Sequence, residues 1–198
     1  MMNKEMNKET IDKKQMVLET TLELIMEHGV QATSMAKVSK ASGVAVGTIY
    51  HHFASKEAII TELYRYYKLL MIEALTPELT AVEDLQQAFR LAAIRILAFA
   101  ENNATAFQFI ETYYASPVIS QEVRDEMEQR FSTVISAYFD DLRNQGVVSE
   151  NRTNEMLNLY LSGSLFTMIR AQISGIVKWD KMTIDSYIQM IWYGLTKD

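Results

Sequence analysis

Seven consecutive residues, Gly47-Thr48-Ile49-Tyr50-His51-His52-Phe53, gather small, hydroxyl-bearing and aromatic side chains in one short stretch. Thr48 and Tyr50 sit two apart, so on a helix their hydroxyls point to different parts of a groove. A hydroxyl can donate to a phosphate oxygen without carrying net charge. Gly47 removes a side chain where a backbone would approach a nucleic acid most closely. Lys56 falls at the expected start of the next helix, where backbone N–H groups and the dipole also favour an anion. His51 and His52 carry the one side chain whose reference pKa, about 6.5, lies close to working pH. If either lies on a phosphate, binding is expected to strengthen as pH falls. This is chemistry for holding a phosphate backbone.

Positioning those groups requires a helix-turn-helix. Thr33 or Ser34 caps a short helix to about Ala41, Gly43 supplies the turn, and a second short helix runs from about Ala45 to His52. Ahead of them a helix is expected over 11–28, with Leu18, Leu22 and Ile25 at spacings of four and three and Gly29 ending it. Ser55 caps the helix that follows, with Glu57 in its first turn, where the dipole favours an acid. In such a unit the second helix enters the DNA major groove. Val38, Val44, Ile49 and Phe53 then form its core rather than its contact surface.

The connected pattern Gly29, Thr33, Val38, Ala41, Gly43, Val44, Gly47, Thr48, Ile49, Tyr50, Phe53, Lys56 and Glu57 resembles the tetracycline-repressor (TetR) family of bacterial transcriptional regulators. The resemblance is confined to residues 11–60 and implies Thr33, Thr48, Tyr50, His51 and Lys56 on the DNA backbone, with Val46 and its neighbours facing bases. The expected DNA-contacting set is therefore Thr33, Ser34, Lys37, Ala45, Val46, Gly47, Thr48, Tyr50, His51, His52 and Lys56. Ala45 stands where that family usually has a capping Ser or Thr, and Val46 where it often has a basic or polar residue. Base readout is expected to lean on apolar contact, such as with thymine methyls, and on DNA shape.

The formal net charge of −6 is unevenly spread: residues 1–60 hold seven Lys and seven acids, and 61–198 hold 12 Lys or Arg and 18 acids. A neutral headpiece is permissive for DNA but steers weakly toward it. With no cysteine, disulfides and thiolate metal sites are excluded. No apolar leader and no run of about 18 apolar residues is present, so a cytoplasmic protein with no membrane partner is expected. Catalysis, metal and cofactor are not expected. The three His make no Glu-x-x-His pair and no phosphate-cradling glycine loop occurs.

Beyond the headpiece the fold class expected is all-α, about nine helices in total. A polar tail covers 1–10, the headpiece 11–55, and an effector-binding and dimerisation domain 56–198, with Pro77 closing the fourth helix. Residues 153–176 are apolar on more than one side, so that helix must be buried centrally or at an interface. Leu161, Leu165, Ile169, Ile184, Ile188, Ile191, Trp192 and Leu195 are the expected surface for a homodimer, which the resemblance implies is a four-helix interface. Phe89, Phe99, Phe107, Tyr113, Phe131, Tyr138, Tyr160 and Met168 are candidates to line an apolar cavity for an unidentified small-molecule effector. Arg170 snorkels outward, pairs across a dimer or faces an anionic ligand. The partners expected are a palindromic double-stranded DNA operator, a second copy of the chain and that effector. The alternative is an architectural or cell-cycle DNA-binding protein of the same fold without an effector.

Overall fold

The structure is a computed structural model that describes residues 2–80 and 84–196, with side chains from residue 13 onward apart from positions 78 and 80. Nine helices and no strand occur among the described residues: α1 Met2–His28, α2 Met35–Ser42, α3 Val46–His52, α4 Lys56–Thr80, α5 Leu85–Asn102, α6 Ala104–Tyr113, α7 Gln121–Asn144, α8 Asn154–Ile173 and α9 Lys181–Thr196. None of the helices searched is long and apolar enough to cross a membrane.

Two boundaries differ from the sequence expectation. Helix α1 begins at Met2, because residues 2–10 contain neither Gly nor Pro to break it. Helix α4 runs through Pro77 to Thr80. Proline in the last turn removes a single N–H donor and leaves little helix beyond it to disrupt.

The contacts divide the chain into two compact units. The first comprises residues up to Lys68 with Thr105–Asp125, and the second Leu69–Ala104 with Glu126 onward. The division therefore falls inside α4 rather than between α3 and α4, and α6 belongs almost wholly with the first unit.

In the first unit, Val17, Leu18, Leu22 and Ile25 of α1 meet Val38, Val44, Ile49 and Phe53 in a core closed to solvent. Ile59, Ile60 and Leu63 of α4 and Phe107 and Phe109 of α6 are buried in the same unit. In the second unit α5 packs on α8 and α9, and α8 on α9. Phe89 and Trp192 lie 5.6 Å apart, and Arg90 clasps both carboxylate oxygens of Asp185 at 2.8 and 3.0 Å. The Tyr138 hydroxyl donates to the Leu85 carbonyl at 2.7 Å.

Candidate nucleic-acid interface and ligand cavity

The sequence folds locally into α2, turn and α3 because each junction is satisfied within a few residues. Ser34 adopts φ −121° and ψ 158°, and its hydroxyl accepts from the Lys37 N–H, capping α2. Gly43 at φ +70° ends α2 in the left-handed region, which costs a side-chain-bearing residue energy. Ser42 Oγ accepts from the Val44 N–H, and Ser39 Oγ donates to the Val44 carbonyl at 2.7 Å. Together they clamp the turn. Ala45 caps α3 with no side-chain hydrogen bond, as the departure at that position implies.

Helix α3 is anchored by Ile49, fully buried, and by Phe53 just beyond its end. Those anchors leave the opposite face open. Val46 (39% exposed), Gly47, Tyr50 (52%) and His51 are exposed on it at spacings of one turn, beside exposed Ala45. Thr48 and His52 are half-buried at its margin, and the His51 and His52 rings stack edge-on at 5.4 Å. Ser34 and Lys37 are exposed on α2, with the Lys37 ammonium donating to the Ala32 carbonyl at 2.7 Å.

Two residues expected on DNA also hold the headpiece together. Thr33 is 1% exposed and donates to the Gly29 carbonyl at 3.0 Å, tying the loop to the end of α1. The Lys56 ammonium donates to the Val30 carbonyl at 2.8 Å, pinning the start of α4 to the same loop. Both are drawn inward because the turn at Gly29 presents carbonyls that helix α1 cannot satisfy itself. Glu57 behaves as its position predicts: its own backbone N–H, then the Ser55 hydroxyl, hold its carboxyl below the ordinary value.

Sequence reading missed Lys14. Its ammonium lies 2.7 Å from Glu62, which Arg65 also meets at 3.0 Å, and sits over the Phe53 ring at 5.9 Å. This brace links α1, the end of α3 and α4. Burial raises the Glu62 carboxyl, but Lys14 and then Arg65 outweigh it and the net shift is downward. Only the Glu62–Arg65 half carries a sequence signal, the three-residue spacing.

In the second unit a cavity of about 40 Å³ lies among four helices. Leu75 of α4, Phe89, Ala92, Ala93 and Ile96 of α5, Phe131 and Ile135 of α7, and Asn158, Leu161, Ser162, Leu165 and Phe166 of α8 line it. Of the nine effector candidates, Phe89 and Phe131 are there. Phe107 is fully buried in the first unit, where Tyr113 also lies, its ring 5.0 Å from Phe109. Phe99 and Met168 are buried away from the lining, and the Tyr138 hydroxyl is spent on Leu85. Tyr160 is partly exposed on α8. Arg170 is exposed in the chain and donates to Thr167 Oγ1 at 2.9 Å on its own helix.

The candidate dimer residues are largely turned the other way. Leu165, Ile169, Ile188, Ile191, Trp192 and Leu195 are all buried in the chain's own core, while Leu161 and Ile184 are half-buried. Within α8 and α9 the large apolar side chains left exposed are Met156, Leu159 (73%) and Tyr160, with Met182 (74%), Met190 and Tyr193. A helix that is apolar all round has two oily faces, and periodicity does not say which is inward. Gly194 lets α8 and α9 approach closely: a Cβ there would stand 2.0 Å from the Tyr160 hydroxyl oxygen.

Two family models match this chain: "Bacterial regulatory proteins, tetR family" over residues 17–63, and "Tetracyclin repressor-like, C-terminal domain" over residues 67–196. An uncharacterized HTH-type transcriptional regulator, YhgD of Bacillus subtilis, is 28% identical over 162 residues, 77% of this chain and 83% of that one. The HTH-type transcriptional repressor KstR2 of Mycobacterium tuberculosis is 30% identical over 129 residues, 65% of this chain and 58% of that one. Among solved structures, a TetR family transcription regulator from Marinobacter aquaeolei superposes with a TM-score of 0.85 at 20% identity, over 98% of this chain and 100% of that one.

Proposed function

Because this chain belongs to the TetR family of bacterial transcriptional regulators, we propose that it acts as a ligand-released repressor that binds a palindromic operator as a homodimer. The observation that carries the DNA half is the α3 face. Val46, Gly47, Tyr50 and His51 stand open on a helix whose other side, through Ile49, is locked into a core. A rigid helix with a bare apolar and hydroxyl-bearing face suits the major groove, with Ser34 and Lys37 on α2 near the phosphates.

One such helix touches too little DNA for useful specificity, so two copies are needed, at half-sites about 34–36 Å apart or a multiple of it. The second copy is assigned to the exposed stripe of Met156, Leu159 and Tyr160 with Met182, Met190 and Tyr193. An apolar stripe of that extent is costly to leave in water.

Control is assigned to the four-helix cavity. Three residues separate the end of α3 from the start of α4, whose far half supplies Leu75 to the lining. A ligand that enlarges the cavity pushes on Leu75 and so on α4, which resets the spacing of the two α3 helices. Release from DNA requires tighter ligand binding to the off-operator state, and DNA must weaken ligand binding by the same factor. The small size of the cavity favours, as second reading, the same DNA-binding role with no effector.

The test is a footprint on the DNA immediately upstream of the protein's own gene, at stated salt. Wild type protects two symmetric half-sites, and Tyr50→Ala with Val46→Glu abolishes protection while leaving the helical signal unchanged. Protection that survives both substitutions would remove α3 from the DNA.

A further inference from the structure

The α8 stripe that faces the cavity is oily except at Asn158 and Ser162. Asn158, Leu161, Ser162, Leu165 and Phe166 recur at helical spacing, and the Asn158 amide oxygen is sealed from solvent with no hydrogen-bond donor among the described residues. Buried acceptors without a donor are rare enough in native proteins that each needs a reason. Helix α8 supplies none. Its cap is Thr153, which accepts from the Met156 N–H, and Asn within a helix is disfavoured against Leu or Ala.

The cavity that Asn158 lines offers such a reason. An amide oxygen can only accept, so its partner is a donor: a hydroxyl or an N–H. Ser162 already donates to the Leu159 carbonyl at 3.5 Å and has acceptor capacity left, which again suits a donor. No lining residue is charged, so a carboxylate or phosphate entering here would lose its hydration with nothing to replace it. Ala92, Ala93 and the rings of Phe89 and Phe131 contribute only apolar lining. The volume of about 40 Å³ takes only the tip of a molecule, well below the ~300 Å³ of a drug-sized site, so the body of a ligand enters by displacing those rings.

We infer that the cavity selects a neutral, mainly apolar ligand bearing one hydrogen-bond donor, which the Asn158 amide oxygen receives. This rests on the cavity being the effector site, and it makes Asn158 the polar determinant of that site.

Three probes with similar apolar chains separate the chemistries at pH 8: 1-octanol (a donor), heptyl methyl ether (an acceptor only) and octanoate (an anion). Each is titrated into the full-length protein, following thermal midpoint and calorimetric Kd, and repeated with Asn158→Leu and Asn158→Ala. Octanol is expected to bind wild type about tenfold more tightly than the ether, the ratio of one net hydrogen bond near 1.4 kcal/mol, with octanoate weakest. In either variant the alcohol-to-ether ratio falls to within about twofold. Equal binding of alcohol and ether to wild type, or tightest binding by octanoate, overturns the inference while leaving the cavity as a binding site. Failure of all three to bind overturns the inference and the effector reading together.

Discussion

Replacing Asn158 by Leu should stabilise the ligand-free protein. The Asn158 amide oxygen is buried without a donor among the described residues, beside a cavity of about 40 Å³. An unsatisfied buried polar group costs about 1–3 kcal/mol, which an apolar residue of similar shape relieves. Cavity volume is penalised at about 24 cal/mol per Å³, so filling the void completely adds about 1 kcal/mol at most. Leucine fills part of it, and the expected net gain is about 1–3 kcal/mol. For a chain of this size, a gain of 2 kcal/mol raises the melting midpoint by roughly 4–8 °C. Asn158→Ala removes the same unsatisfied oxygen but enlarges the void, so it should stay within about 1 kcal/mol of wild type. The assay is urea unfolding of the purified, ligand-free full chain, read by circular dichroism, with thermal melts in parallel. The Leu-minus-Ala difference isolates the volume effect, since both are better helix formers than Asn. A Leu variant less stable than wild type, or no better than Ala, would refute the reasoning by showing that the amide is satisfied in the folded state.

Tyr138→Phe deletes the 2.7 Å bond to the Leu85 carbonyl and should cost about 1 kcal/mol in unfolding experiments. Burial, then the nearby Asp84, hold the Tyr138 phenol well above its ordinary value. A group whose folded-state pKa is raised contributes stability in full below its unfolded value and loses it above. Wild type should therefore lose stability as pH climbs past about 10, and Tyr138→Phe should flatten that limb. Glu62 has the opposite sign: its lowered carboxyl stabilises above its ordinary value and fails as pH falls through the folded value. Glu62→Gln should flatten the acid limb and cost about 0.5–1 kcal/mol at neutral pH, a modest figure because the brace is partly solvated. Leu159→Glu, on the side chain 73% exposed on α8, should leave the fold intact, shift sedimentation to the monomer and weaken operator binding together. An unchanged dimer would clear that face of the role.

The headpiece was legible in the residues because its decisions are local. Ser34 capping α2, Gly43 in the left-handed turn and Ile49 and Phe53 as anchors are settled within about twenty residues, so type and spacing suffice. The exposure of Gly47 and His51 follows from the burial of Ile49, since residues two positions away on a helix face elsewhere. The all-helical class followed from few glycines and prolines and from the repeating apolar stripes.

What the tertiary structure decided are the questions in which distant residues compete for one partner or one face. Thr33 and Lys56 carry groups fit for a phosphate, and they also donate to the carbonyls of Gly29 and Val30 once the loop has closed. Lys14 braces Glu62 across 48 positions, a pairing no periodicity encodes. On α8 and α9 both faces are apolar, so sequence alone determined that they would be buried somewhere. Only packing against α5 chose Leu165, Ile188 and Trp192 for the core and left Leu159 and Met190 outside. Asn158 reads in the sequence as one more polar residue on a helix. Its significance exists only because four helices close around it and, among the described residues, no donor reaches its amide oxygen.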